Sequence, residues 1–326
     1  MRRTKKAIAV STLALVVMFQ CSESGARDSW KAPATVTLRA PNAAGGIMDT
    51  MLRVLAQGLM ESCGQTVVVN NIVGANGALA VNDLLALPAS PCEMSGAGIP
   101  LFAMMPLLNP DINVNIDDFV IVAGLMNQDV ILLVSPEKSG INSFEELMEY
   151  GKTNRIVFGS NALGGSTHML PIALFGEAGI EARAVTSNGS NLDALAVVAG
   201  NVICAAVPTS VAQVFIDEGT LKPIAVFSGE PFTGFPGFTV PTVKSYGYDL
   251  VFRIYNFLLM KKGVDQAIVD QVHADIQEFY KSEKFKTLAA AAGYTPDTSS
   301  GEEILKVVRD GSALCKWIHE KYYSRR

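Results

Sequence analysis

The sequence predicts an α/β protein built as two lobes, each a mainly parallel sheet flanked by helices, with a cleft between them. Three observations predict it. Short hydrophobic runs alternate with longer amphipathic stretches, the pattern of strands buried under helices. The alternation comes in two series, each opened by a strand and an Asn-Ala-x-Gly-Gly turn. The 326 residues are 49% hydrophobic and only 17% charged, enough to fill two cores of ordinary domain size.

The mean hydropathy of +0.28 raises the question of a membrane span, and the N-terminus answers part of it. Arg2, Arg3, Lys5 and Lys6 precede an uncharged stretch from Ala7 to Phe19 that is too short to cross a bilayer. The layout is that of a secretory signal peptide over residues 1–26, with Ser24-Gly25-Ala26 as the cleavage site. Lipid attachment at Cys21 is the alternative, though Phe19 and Gln20 suit it poorly. Cleavage takes four positive charges and one negative, leaving 22 Lys+Arg against 30 Asp+Glu and a net charge of −8. An acidic chain excludes the basic footprint of a nucleic-acid binder. No later stretch reads as a membrane helix: Leu195–Ile216 is broken by Gly200-Asn201 and Pro208-Thr209-Ser210.

The first series reads as strand Thr35–Ala40, helix Ile47–Ser62, strand Gln65–Asn70, helix Ala78–Leu87 and strand Cys92–Ala97, then strands at Phe119–Leu125 and Val130–Val134. Ser143 is the expected N-cap of a helix to Lys152, with Glu145 and Glu146 in its first turn. The second series runs strand Ile156–Ser160, helix Ser166–Glu177, strand Ala182–Thr186, helix Ser190–Ala199, strand Val202–Val207, helix Thr209–Glu218 and strand Lys222–Phe227. An extended stretch at Leu250–Met260 and helices at Asp265–Lys281, Glu283–Ala292 and Gly301–Tyr322 close the chain. Lobe 1 is expected over 27–125 plus 250–326 and lobe 2 over 126–249.

The repeated turns carry the functional reading. Asn42-Ala43-Ala44-Gly45-Gly46 and Asn161-Ala162-Leu163-Gly164-Gly165 each join a strand to a helix, and Asn76-Gly77 and Asn188-Gly189 follow the second strand of each series. Such turns bring backbone close to a ligand and start helices whose free N–H groups form an anion site without Lys or Arg. In an open α/β sheet they lie at the carboxyl ends of the strands, where ligands bind. The competing reading is that tight turns simply use glycine.

Four motifs taken together resemble the exported substrate-binding proteins of tripartite tricarboxylate transporters, the Bug-type family. They are P-x-x-x-G-G-x-x-D-x-x-x-R from Pro41 to Arg53, V-V-V-N-N-I-V-G-A-N-G from Val67 to Gly77, F-G-S-x-x-x-G-G-S-x-H from Phe158 to His168, and P-T-V-K-S-Y-G from Pro241 to Gly247. The resemblance covers essentially the whole mature chain. It implies a type II periplasmic binding fold, and a monomer that closes on a small carboxylate and delivers it to integral-membrane permease subunits. The carboxylate would be a di- or tricarboxylate, an acidic amino acid or an aromatic acid. It places the ligand on the turns at Gly46, Ile47, Met48 and Asp49; Gly74, Ala75, Asn76 and Gly77; Asn161, Gly165, Ser166, Thr167 and His168; and Ser187, Asn188 and Gly189. The chain departs from the family pattern at Pro91-Cys92-Glu93, Thr186–Gly189 and Tyr255-Asn256-Phe257, and the last two bear on the pocket wall.

Among single residues, Asp49 reads equally as a ligand contact and as a carboxylate favoured by the helix start, with Arg53 its i, i+4 partner. His168 reads either as a hydrogen bond or charge lent to a carboxylate or as a histidine bonded within its own lobe, and Ser166 and Thr167 are expected to cap the helix or meet the anion. Thr209 is a second-lobe contact candidate. Cys63 with Cys92 is the expected disulfide, on the lobe face away from the cleft; buried free thiols are the alternative. No nucleophile elbow, P-loop, zinc motif or dinucleotide fingerprint is present, so neither catalysis nor a metal or cofactor is expected. A co-receptor that presents ligand to a membrane sensor is the alternative function, and a hydrolase using the cleft a remote one.

Overall fold

The computed structural model describes residues 29–291 and 296–324. The expected export segment, with Cys21, lies outside them. The first series forms strand β1 (Val36–Ala40), helix α1 (Ile47–Cys63), β2 (Val67–Asn71), α2 (Ala78–Ala86) and β3 (Glu93–Gly98), then two short helices, α3 (Ile99–Ala103) and α4 (Met105–Leu108). Strand β4 (Phe119–Gln128) leads directly to β5 (Val130–Val134), followed by α5 (Pro136–Ser139) and α6 (Phe144–Thr153). The second series gives β6 (Ile156–Ser160), α7 (Ser166–Glu177), β7 (Ala182–Thr186), α8 (Ser190–Val198), β8 (Cys204–Pro208), α9 (Thr209–Asp217) and β9 (Lys222–Val226). Strand β10 (Ile254–Lys261) and helices α10 (Gln266–Lys281), α11 (Glu283–Ala291) and α12 (Gly301–Tyr322) complete the chain.

Two five-stranded sheets result, ordered β2-β1-β3-β10-β4 and β7-β6-β8-β5-β9. In each, one strand runs against the others: β10 pairs antiparallel with β3 and β4, and β5 with β8 and β9. The fully buried strand β5, Val130-Ile131-Leu132-Leu133-Val134, is apolar at every position because helices cover both faces of its sheet. The first sheet keeps the chain through Gln128, since Met126–Gln128 pair with Asn256–Ile254. The crossing between sheets therefore comes at Asp129, after the boundary expected at 125/126, and the return comes just before Ile254.

The cores explain how the lobes are held. One apolar cluster packs α1 and α10 on the first sheet, and a second packs α8 and α9 on the second sheet. A third is shared: Ile304, Val308, Cys315 and Ile318 of α12 join Phe257 and Leu259 of the first sheet with Leu132, Phe158 and Met169 of the second lobe. Helix α12 thus belongs to both lobes.

The expected Cys63–Cys92 disulfide is absent: both are free, buried thiols, with Cys63 Sγ against Gln65 O and Cys92 Sγ against Ala34 O. Cys204 and Cys315 are free and buried too, each within apolar packing. Helix α1, which delivers the first Gly-rich turn, is seated by a close approach at Gly58. A Cβ there would stand 2.3 Å from the Phe279 ring of α10. Gly58→Ala should cost about 1–3 kcal/mol by overpacking. A lower urea midpoint at unchanged m-value, partly restored by adding Phe279→Ala, is the expected result.

Candidate binding site

Five of the longer helices begin at the sheet ends that face the cleft, and none has a side-chain cap. The N-caps are Gly46 for α1, Gly77 for α2, Gly165 for α7, Gly189 for α8 and Pro208 for α9. The long helices α6, α10 and α12, which start elsewhere, are capped, while the short α3, α4 and α5 are not. Ser143 accepts a bond from the N–H of Glu146, Asp265 from that of Ala267, and Ser300 forms a reciprocal capping box with Glu303. Glycine at the N-cap costs roughly a few tenths of a kcal/mol against Ser, Thr, Asp or Asn, so these helices start without a capping side chain at little expense. At α1, α7 and α8 this leaves first-turn N–H groups open at positive dipole ends, whereas at α9 the Thr209 N–H donates to Asp129 O at 3.1 Å and the Ser210 N–H to Gln128 Oε1 at 3.3 Å.

The two Gly-Gly turns are copies in three dimensions. Gly45 and Gly164 both take the left-handed conformation, with φ of 80° and 75°, which a side chain would resist. Gly46 (φ −72°, ψ 162°) matches Gly165 (φ −70°, ψ 165°). The Gly46 N–H donates to Ala43 O at 3.0 Å and the Gly165 N–H to Ala162 O at 3.2 Å. The second pair of turns is also equivalent, but through different residues than the sequence match suggested. Ala40 pairs with Asn71 and Ser160 with Thr186, and the next N–H of each outer strand, Ile72 and Ser187, returns to Ala40 O and Ser160 O. That register sets Gly74, not Gly77, opposite Gly189. Asn76-Gly77 lies further on, inside a tight turn where Ala75 and Asn76 both have positive φ.

The lobes meet across these turns. Asn76 Nδ2 donates to Leu163 O at 3.2 Å, and a Cβ on Gly165 would come 3.6 Å from Asn76 Nδ2. At the other side Ile47 packs against both the first-lobe core and the second-lobe core of α8 and α9. The N–H groups of Ile47 and Met48 in one lobe, and of Ser166 and Thr167 in the other, start their helices between these contacts.

Side chains hold the turns rather than fill the space between them. Buried Asp49 accepts from Gly45 N at 2.8 Å, Asn71 Nδ2 at 2.8 Å and Arg53 Nε at 3.0 Å, with Arg53 also 2.8 Å from its other oxygen. Burial pushes its pKa up, but Arg53, the Gly45 N–H and Asn71 outweigh this and hold the carboxyl below its usual range. Asp49 is committed to its own turn, which favours the structural reading. Thr167 does the same in the second lobe, donating to Asn161 Oδ1 at 2.9 Å. His168 Nδ1 meets Tyr323 Oη at 2.6 Å, just beyond the end of α12, and its ring lies against Phe158 of its own lobe.

Two features escaped the sequence reading. Asp193, in the first turn of α8, is 1% exposed. Its Oδ1 accepts from Ser187 Oγ at 2.7 Å, and its Oδ2 has no hydrogen-bond partner. Burial raises its pKa to about 6, with the Ser187 bond opposing. Its only sequence signal is an acid near a helix start, which reads as ordinary dipole chemistry. The second is a cavity of about 320 Å³ at the crossing between the sheets, where Thr209 lies beside Asp129 and Arg253. Its charged residues are far apart in sequence and only the fold joins them.

Residues 51–322 match the model of the tripartite tricarboxylate transporter family receptor. The chain belongs to that family. This receptor is 27% identical over 272 residues to Protein BugT of Bordetella pertussis, covering 82% of each chain. Its fold matches "R. palustris Rpa4515 with adipate" at TM-score 0.78 and 21% identity, covering 89% and 98% of the two chains. It also matches MatC from Rhodopseudomonas palustris with bound malate, at TM-score 0.76 and 20% identity over 88% and 99%. The family is one of transporter receptors. Among the described residues no helix is long and apolar enough to cross a membrane.

Asp193 yields a pH prediction. Its folded pKa of about 6 exceeds the ordinary aspartate value of 3.8, so its protonated form favours the fold. That contribution is complete below about pH 4 and lost as pH rises through about 6. Asp193→Asn should therefore stabilise the receptor by about 1–3 kcal/mol at pH 7 and by little at pH 4. Urea titrations of both proteins at the two pH values check it; a pH-independent difference would contradict the burial of a carboxyl.

Proposed function

We propose that this receptor works outside the cytoplasm, captures a small organic carboxylate between its lobes and hands it to a membrane permease. The observation that carries the proposal is the set of long helices that start at one cleft without a side-chain cap, whereas the long helices α6, α10 and α12 are capped. The ligand carboxylate takes the place of the missing caps. It lies on the N–H groups after Gly46 and Gly165, with the Gly74–Gly77 and Ser187–Gly189 turns on either side and Thr209 further along the second lobe. The neighbours with adipate and malate support this ligand class.

Binding and closure are one step in this reading. The Gly46 turn belongs to one lobe and the Gly165 turn to the other, so an anion that contacts both stabilises the state in which they face each other. A net charge of −8 after signal removal does not oppose this, because the helix N-termini set the field at the site. The turns recognise a carboxylate by backbone alone, so the rest of the pocket selects which one.

A thermal-shift panel of carboxylates tests the reading. A carboxylate at 100 times its dissociation constant should add about 2.7 kcal/mol to stability. Gly165→Leu, which fills the space between Asn161 and Asn76, should fold and lose that shift. Failure of every carboxylate, with a shift from an unrelated ligand class, would remove the proposal.

A further inference from the structure

The Ser187–Gly189 turn of the second lobe is tied to the buried carboxyl of Asp193. We infer that the receptor binds its ligand together with a proton, held on Asp193 as a neutral carboxyl that donates to Ser187 and so fixes the Gly189 turn. Asp193 is then a positioning residue of the site and the proton a co-ligand. The inference rests on the carboxylate-receptor reading, which sets an anion beside that turn.

A count of hydrogens carries it. Ser187 Oγ stands 2.7 Å from Asp193 Oδ1 and 2.9 Å from Gly189 O, and it accepts the Gly189 N–H at 3.2 Å. A hydroxyl has one hydrogen to give. With Asp193 ionised, Asp193 Oδ1 and Gly189 O compete for it. With Oδ1 protonated, the direction of the first bond reverses: Asp193 donates to Ser187, Ser187 donates to Gly189 O, and all three contacts are hydrogen bonds. The second oxygen agrees. Asp193 is 1% exposed and its buried Oδ2 has no hydrogen-bond partner, which suits the carbonyl oxygen of a neutral acid and penalises a carboxylate.

The fold holds the carboxyl in this state. A Cβ on Gly159 would come 3.1 Å from Asp193 Cβ, so glycine there lets α8 press the side chain onto β6. Helix α8 packs on β5, β6, β8 and α9. The three strands carry one titratable side chain, Cys204, which faces the shared core with Phe158. Asp217, the last residue of α9, accepts from Gln213 Nε2 at 2.6 Å. Arg183 of β7, in register with Val157, is exposed, and across the cleft Asp49 is paired with Arg53. None of these charges is paired with Asp193 among the described residues, and burial raises its pKa to about 6.

Ionisation acts on the ligand in two ways. Ser187 turns its hydrogen from Gly189 O to Asp193, and a negative charge appears about 6 Å along the axis from the start of α8, where it repels the anion and offsets the helix dipole. By the same coupling, an anion at the turn raises the Asp193 pKa, so capture draws a proton from the solvent. Affinity is then highest below about pH 6 and falls as pH rises above it. A rise of about one pH unit in that pKa on binding corresponds to about tenfold in affinity.

Isothermal titration tests the linkage with the tightest binder among succinate, malate, glutarate, adipate, citrate and benzoate, in buffers of different ionisation enthalpy. The native receptor should bind about tenfold or more tightly at about pH 5.5 than at about pH 8, and take up part of a proton at about pH 7. Asp193→Asn, whose amide still donates to Ser187, should bind at about pH 8 as tightly as the native receptor does at about pH 5.5, and show only the ligand's own titration. Asp193→Ala should bind weakly at both. Circular dichroism confirms that each variant folds. The same pH profile in the native receptor and Asp193→Asn, or equal affinity in Asp193→Ala and Asp193→Asn, overturns the inference and leaves the carboxylate-receptor reading intact. No binding by any of the six acids also overturns it, and the wider carboxylate panel then decides the reading beneath it.

Discussion

The unsatisfied backbone N–H at the start of a helix is the constraint around which this molecule is arranged. It cannot be removed, because the first turn of any helix has no carbonyl to receive it. A protein can cap it, hydrate it or give it to a ligand. Helices α6, α10 and α12 take the first course, with Ser143, Asp265 and Ser300. The cleft helices take glycine or proline instead. Asp49, Asn71, Thr167 and Asn161 then brace the turns from the side, so the N–H groups keep their direction without a cap above them.

That division of labour separates affinity from identity. In the proposed function backbone groups recognise charge and hydrogen-bonding capacity, and those groups are the same in both lobes because the Gly-Gly turns are copies. Side chains that could discriminate ligands lie where the copies differ. Ala78 stands in the first lobe where register places Asp193 in the second, and the crossing at Asp129 and Arg253 has no counterpart within either repeat. A receptor built this way can change ligand by altering the unrepeated parts while the repeated turns stay fixed.

Much of the architecture was legible because the signals were local. Ile156–Ser160, Ser166–Glu177 and Gly301–Tyr322 agree with the sequence reading to the residue, each flanked by turn glycines or a strong N-cap. The Gly45–Gly46 and Gly164–Gly165 turns were legible for the same reason. What escaped was long-range. The equivalence of Gly74 with Gly189 depends on strand register, which an Asn-Gly pair a few residues away obscured. Helices α3 and α4 carry Pro100 and Pro106 in their first turns, where proline is compatible with a helix but gives little periodicity to read. The His168–Tyr323 bond and the Asp129–Arg253 pair join residues that only tertiary packing brings together.

The position of β10 bears on how the chain acquires its structure. It is inserted between β3 and β4, so the first sheet has a gap at its interior until Ile254–Lys261 arrive. Two edges with unpaired backbone would otherwise face each other across that gap, each open to mispairing. The second sheet has no such dependence, since β5 through β9 are contiguous in the chain. The lobe encoded first is therefore the one whose sheet is completed by the later part of the chain.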